Sequence, residues 1–305
     1  MIVHIFSAKG RKNVHNHLYT HRLESRKYNA AMYLSPRTQH RLAKVQDLLD
    51  QLQPDGEARA LTVPGSPEPR ESIIVFTGSF NPPTTAHLAL LQQAERFARQ
   101  HEAMGLYAAF SKRTVDKETV ERPLLLDRIM LLDTMLQHRL PRAGIMLFNR
   151  GLYVEQARAI RASYRRVRHI FFLMGFDKIV QILDPRYYDD RDTALSELFK
   201  LAQLLVAPRG DAGERELAAL LHQPQNERFA RFIHELPFDP RYRAISSTHI
   251  RQAGDASVHE VPQEVRDFMR KTRAYAPLLQ RNGTLVDLYE QRVRELSRLL
   301  GRALS

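Results

Sequence analysis

From residue 72 onward short apolar runs alternate with stretches of helical period, and this alternation constrains the fold more than any other feature of the sequence. Runs at 72–77, 106–110, 145–149, 169–174 and 201–207 have the length of buried strands, with a weaker run at 232–236. Between them, 85–99, 123–137, 153–164 and 213–221 place apolar residues on one face of a helix. Strands separated by helices return through crossovers rather than hairpins. The expected fold is therefore α/β, a parallel, doubly wound sheet. Helical stretches at 261–272 and 285–300 close the chain, and no internal repeat is visible.

Ahead of that pattern, residues 1–34 show no clear period. Ser35 can cap a helix, Pro36 suits its first turn, and Leu42, Val45, Leu48, Leu49 and Leu52 recur on one face. Residues 53–71 then carry Pro54, Gly56, Pro64, Gly65, Pro67 and Pro69, a linker composition. Three parts are expected: a helical N-terminal extension and linker over 1–70, the α/β domain over 71–280, and a C-terminal helix over 281–305.

Composition narrows the chemistry. The chain has 305 residues, 43% of them hydrophobic, enough for a sizeable core. It has no cysteine, which excludes a disulfide framework, a thiolate metal site and a cysteine nucleophile, and fits a reducing, cytoplasmic setting. No apolar run approaches the ~18–20 residues of a membrane span, so no membrane partner is expected. The first 23 residues hold Lys9, Arg11, Lys12 and Arg22 with no acid before Glu24, a loosely ordered basic start or a transit peptide. A net charge of +12 suits nucleic acid or a small polyanion equally. The arginine-rich stretch 158–168 is open to the first reading, but no zinc-finger, RRM or KH signature accompanies it. The oligomeric state is not legible, and a homo-oligomer is compatible with the sequence.

The chemistry concentrates in the first strand–turn–helix, which reads IIVFTGSFNPPTTAHLAL over 73–90. In open α/β sheets ligands sit at the carboxyl ends of strands, near the point where the strand order reverses. Gly78 follows the strand directly, and without a Cβ it lets a phosphate approach the backbone. The next helix offers unpaired N–H groups, and His87 falls in its first turns, within reach of a phosphoryl group. A lone glycine after a strand is ordinarily a turn, and a lone histidine on a helix is ordinarily structural; the combination points to a site.

A second stretch, Ile245-Ser246-Ser247-Thr248-His249-Ile250-Arg251, lies about 160 residues downstream. Three hydroxyl residues open a helix and Arg251 sits one turn in, a second anion site on these residue types alone. The blander alternative is an ordinary cap with a surface arginine.

Together these segments resemble a known family. Gly78-Ser79-Phe80-Asn81-Pro82-Pro83-Thr84-Thr85-Ala86-His87 is similar to the phosphate-binding signature of nucleotidylyltransferases, and Ile245–Arg251 to their second signature, ISSTxIR. Bacterial members usually end the first signature H-x-G-H. Thr84 and Ala86 stand at those positions, and this T-x-x-H form resembles eukaryotic nicotinamide-mononucleotide adenylyltransferases. Val261-Pro262 with Val265, Phe268 and Tyr275 resembles the family's C-terminal motif, and Phe172–Asp177 its L-x-G-A-D segment, with Phe176 in place of alanine. Cytidylyltransferases carry a different second motif, RTEGISTS, which is absent. The resemblance runs from Ile73 to about Tyr275.

The resemblance implies a Rossmann-like nucleotidylyltransferase domain that transfers AMP from ATP to nicotinamide or nicotinate mononucleotide, releasing pyrophosphate by direct in-line attack. It makes His87 and Arg251 catalytic. It assigns Gly78, Ser79, Phe80, Thr84, Gly175, Asp177, Ser246, Ser247 and Thr248 to ATP. Lys112 and Arg113, after the second strand, are expected at the phosphate of the mononucleotide, with Lys117 and Arg128 as weaker candidates, and Tyr153 is expected to stack on the pyridine ring. Mg²⁺ is expected through the ATP phosphates, with no metal site on the protein. Two alternatives remain open: another phosphate acceptor such as phosphopantetheine, and a nucleotide- or nucleic-acid-binding protein without catalysis.

Overall fold

The computed structural model describes residues 35–101, 104–112, 122–253, 257, 259–281 and 283–304. The chain divides into two units, Met1–His40 and Arg41–Ser305. Of the first, 35–40 are described, so the basic start lies outside the described residues.

In chain order the elements begin with α1 (Pro36–Gln51), β1 (Ala60–Thr62), β2 (Glu71–Thr77), α2 (Thr85–Gln100) and β3 (Gly105–Ser111). They continue with α3 (Leu125–Arg139), β4 (Gly144–Phe148), α4 (Tyr153–Ser163), β5 (Val167–Gly175), α5 (Phe176–Leu183), α6 (Arg191–Leu201) and β6 (Gln203–Ala207). After these come α7 (Glu214–Leu221), α8 (Glu227–Ala230), β7 (Ile233–Glu235), α9 (Ser247–Ala253) and α10 (Gln263–Thr272). The last are β8 (Leu279–Arg281), β9 (Thr284–Val286) and α11 (Glu290–Leu300).

Strand order in the seven-stranded sheet is β1-β4-β3-β2-β5-β6-β7. Strands β2 to β7 pair in parallel, and β1 is antiparallel on β4. The chain builds β2, β3 and β4 outward in one direction, then crosses back beside β2 to build β5, β6 and β7 in the other. The order reverses between β2 and β5, and a crevice opens there at their carboxyl ends.

The apolar runs are strands because both faces of the sheet are covered. Ile73, Ile74 and Val75 of β2 are fully buried, as are all five residues of β4. Alternate residues Ile73, Val75, Tyr107, Ala109, Met146 and Phe148 share one core with Ile160 of α4, Ile179 of α5 and Leu195 and Leu198 of α6. Each such aliphatic side chain contributes about 1.5–3 kcal/mol when fully buried. α2 packs on β2 and β3 and α3 on β4. A smaller core joins Leu131 of α3 to Ile250 of α9 and to Val261 and Val265, with Phe268 against it. The family-like C-terminal motif thus holds α9 in place.

Three sequence expectations are corrected. The stretch 53–71, expected as a linker, supplies β1, with Ala60 opposite Phe148 on the sheet edge. Three residues are too few to show a period between prolines. The run expected as a strand at 201–207 starts at Gln203, because Leu201 closes α6, and α5, α6 and α8 had not been expected. The C-terminal helix expected at 285–300 begins at Glu290; Leu285 and Val286 belong to an antiparallel hairpin of β8 and β9. No helix among the described residues is long and apolar enough to cross a membrane.

Candidate functional site

β2 delivers its chain into the crevice at Gly78. The Gly78 N–H still serves the sheet, donating to the Ala109 carbonyl at 3.0 Å. What the missing Cβ allows is the turn itself: a Cβ there would lie 3.1 Å from the Phe80 ring. Phe80, at φ 42°, folds under the loop and is completely buried. Its ring meets Phe76, Phe110 and His87 edge-on at 5.5, 5.2 and 5.1 Å between centroids.

The T-x-x-H spacing is explained by a reciprocal cap. Thr84 is the N-cap of α2 and His87 its third residue. The His87 N–H donates to Thr84 Oγ1 at 3.1 Å, and the Thr84 N–H donates to His87 Nδ1 at 3.0 Å. This is a capping box with histidine where glutamate or glutamine usually stands. Thr84 Oγ1 also lies 2.9 Å from Nδ1. A backbone N–H can only donate, so Nδ1 accepts, and the neutral ring carries its proton on Nε2. Burial, and then the charge of Arg209, lower the His87 pKa from 6.5 to about 4. His87 is therefore a neutral hydrogen-bond donor at physiological pH.

The second signature is bonded to the first. Ser247 Oγ donates to the Pro82 carbonyl at 2.8 Å. Arg251 Nη1 donates to the Asn81 carbonyl, and its Nη2 to Thr248 Oγ1 at 3.3 Å. Ser246 Oγ accepts the His249 N–H at 3.1 Å. Arg128, buried at the front of α3, donates to the Ser79 carbonyl at 3.1 Å. Burial lowers its pKa, which leaves it a guanidinium whose charge is poorly solvated.

Above this framework lies a cleft of about 810 Å³. Arg122, Lys178, Arg209, Arg243 and Arg251 line it, and no carboxylate does among the described residues. A cleft with this lining suits a polyanion. No group of three or more potential metal ligands occurs among the described residues.

The model of the cytidylyltransferase-like family matches residues 75–253, more than half of the chain and the stretch that holds both signatures. The chain belongs to the cytidylyltransferase-like family. A Schizosaccharomyces pombe protein provisionally named nicotinamide mononucleotide adenylyltransferase is 27% identical over 141 residues, covering 45% of this chain and 53% of the relative. The chain thus spans about half the length of that relative. A solved structure from Vibrio parahaemolyticus, provisionally named nicotinate-nucleotide adenylyltransferase, covers 67% of this chain and 95% of its own at 14% identity and a TM-score of 0.36. That likeness is too loose to bear on fold or function.

Within this family member, Gly78, Ser79, Thr84, His87, Tyr153, Gly175, Ser246, Ser247, Thr248 and Arg251 all border the one cleft. The rest of the expected set divides. Phe80 offers the cleft no side chain, because its ring packs the core beneath the loop. Asp177 stands in the first turn of α5 and pairs with Arg209 at 2.8 Å. Lys112 turns away, its Nζ donating to the Leu49 carbonyl at 2.9 Å. Arg113 and Lys117 lie outside the described residues. Tyr153 both lines the cleft and packs on Phe172, ring centroids 5.0 Å apart.

Four cations of the cleft escaped the sequence reading: Arg122, Lys178, Arg209 and Arg243. Arg209 was findable, since it stands two residues past the end of β6. Parallel strands end on the same side, so a basic residue just past β6 stands at the same sheet end as one just past β3. Arg243 reaches the cleft from an irregular segment with no periodic signal.

Proposed function

We propose that this protein transfers AMP from ATP to nicotinamide mononucleotide or nicotinate mononucleotide, forming the dinucleotide and pyrophosphate. The observation that carries the reading is the bonding of the two signatures into one cationic cleft, which no carboxylate lines among the described residues, with His87 aligned by Thr84. The T-x-x-H form and the name of the Schizosaccharomyces pombe relative support a pyridine nucleotide as acceptor.

In this reading a 5′-phosphate oxygen of the mononucleotide attacks the α-phosphorus of ATP. The bond from that phosphorus to the bridging β-phosphate oxygen breaks, and pyrophosphate leaves with its electron pair. The protein positions the reactants and stabilises charge. His87 donates from Nε2 to an α-phosphate oxygen as charge gathers there. Arg251, Ser246 and Thr248 hold the β- and γ-phosphates, joined by Arg209 and Arg243. Asp177, released from Arg209, accepts from a ribose hydroxyl. Among the described residues no carboxylate lines the cleft, so Mg²⁺ would be held through the nucleotide's phosphates, where it would neutralise charge.

The test is pyrophosphate release from Mg²⁺-ATP with nicotinamide mononucleotide, nicotinate mononucleotide and phosphopantetheine in parallel. Turnover with a pyridine mononucleotide, falling ~10²–10³-fold in His87→Ala, is the expected result. Turnover with phosphopantetheine alone would replace the acceptor, and none with any of the three would defeat the proposal.

A further inference from the structure

The C-terminal residues, which the family match does not cover, reach the cleft through Arg122. Arg122 lies in the connection from β3 to α3. Its Nη1 pairs with Asp287 at 2.9 Å, its Nη2 donates to the Arg273 carbonyl at 3.2 Å, and its guanidinium sits 5.5 Å from the centre of the Tyr289 ring. Asp287 is itself held, its Oδ1 accepting the Tyr289 N–H at 2.7 Å. Tyr289, 1% exposed, donates its hydroxyl to Asp127 at 2.6 Å and accepts the Leu124 N–H at 3.1 Å. Arg292 closes this knot on Asp127 at 2.8 Å. On the other side, Asn81 Nδ2 donates to the Arg122 carbonyl at 3.2 Å, and the Asn81 carbonyl accepts from Arg251.

Three features give this arrangement a purpose. An arginine side chain loses much rotamer freedom when it binds an anion, and Arg122 is already fixed. These contacts use two of the five N–H donors of a guanidinium, which leaves donors for a ligand. Arg122 comes from the half of the sheet built by β2, β3 and β4, whereas Lys178, Arg209 and Arg243 come from the half built by β5, β6 and β7. A transfer between two phosphate-bearing substrates needs cations on both sides.

We infer that Arg122 binds the phosphate of the acceptor mononucleotide, and that Asp287 and Tyr289 are positioning residues that hold it there. The inference rests on the proposed reaction for the identity of the acceptor, though not for the anion site itself. Calorimetric titration of the full chain with nicotinamide mononucleotide, Mg²⁺-ATP and inorganic phosphate tests it, using Arg122→Gln, Asp287→Asn and the double variant. Asp287→Asn should weaken mononucleotide and phosphate about tenfold, as loss of a charge-assisted contact does, with ATP affinity within about twofold. The double variant should be no weaker than Arg122→Gln, and Asp287→Glu should restore part of the affinity. In turnover, KM for the acceptor should rise with little change in kcat. Unchanged mononucleotide and phosphate binding in Asp287→Asn, parallel loss of ATP, or additive losses would each overturn it. Should Asp287→Asn lower the thermal midpoint, Tyr289→Phe, which keeps the ring under Arg122, must leave mononucleotide binding nearer to wild type than Asp287→Asn does. Phosphate bound through Arg122 without any pyridine mononucleotide binding would sink the acceptor reading and leave the anion site standing.

Discussion

His87 and Thr84 hold each other by two backbone-to-side-chain bonds, His87 N–H to Thr84 Oγ1 at 3.1 Å and Thr84 N–H to His87 Nδ1 at 3.0 Å. The Thr84 hydroxyl thus caps α2, while the Thr84 N–H sets the tautomer of the imidazole. Thr84→Ala should cost about 1 kcal/mol of stability through the lost cap. It should also lower kcat, since the ring loses its 2.9 Å contact with Oγ1 and is held by the residue-84 N–H alone. Thr84→Ser should restore both. Urea unfolding and pyrophosphate release, measured on the same preparations, check the pair of effects.

The depressed His87 pKa makes a signed prediction. Between pH 6.5 and about 4 the unfolded chain binds a proton that the folded chain refuses. This contribution to stability is complete above pH 6.5 and is lost as pH falls through that window, with a slope of at most about 1.4 kcal/mol per pH unit. His87→Gln should flatten the unfolding free energy across the window. A slope unchanged in the variant would assign the acid sensitivity to other groups.

Arg209 acts on His87 through its charge and pairs with Asp177 at 2.8 Å. Arg209→Ala removes a cation, so the His87 pKa should rise toward 6.5, although burial still holds it down. NMR titration of the His87 ring should show the rise, and KM for ATP should increase in the same variant. An unmoved titration would leave burial as the sole cause.

Asp127 is 1% exposed and carries the charge of Arg292 at 2.8 Å. Removing one partner of a buried pair leaves the other uncompensated, so Asp127→Ala should cost about 3–5 kcal/mol. Replacing Asp127 and Arg292 together by apolar residues should cost less than Asp127→Ala alone. Thermal unfolding of the single and double variants measures the difference.

Much of this is legible in the sequence. Period separates strand from helix locally, so β2 to β7 were visible as short apolar runs, and the two signatures stood out as residue patterns. β1 was missed because three residues between prolines carry no period, and α5 because its stretch follows β5 without a break. The sequence could assign His87 to a helix start, yet not its tautomer, because that depends on a bond back to the Thr84 backbone.

What the sequence by itself determined is therefore the set of local elements and the residue types of the two signatures. Only the tertiary structure decided which side chains share the cleft. Ser247 meets Pro82 across 165 positions, and Arg122 meets Asp287 at a like separation. Contacts of that kind follow from strand order and crossover geometry, a property of the whole sheet that no local window contains.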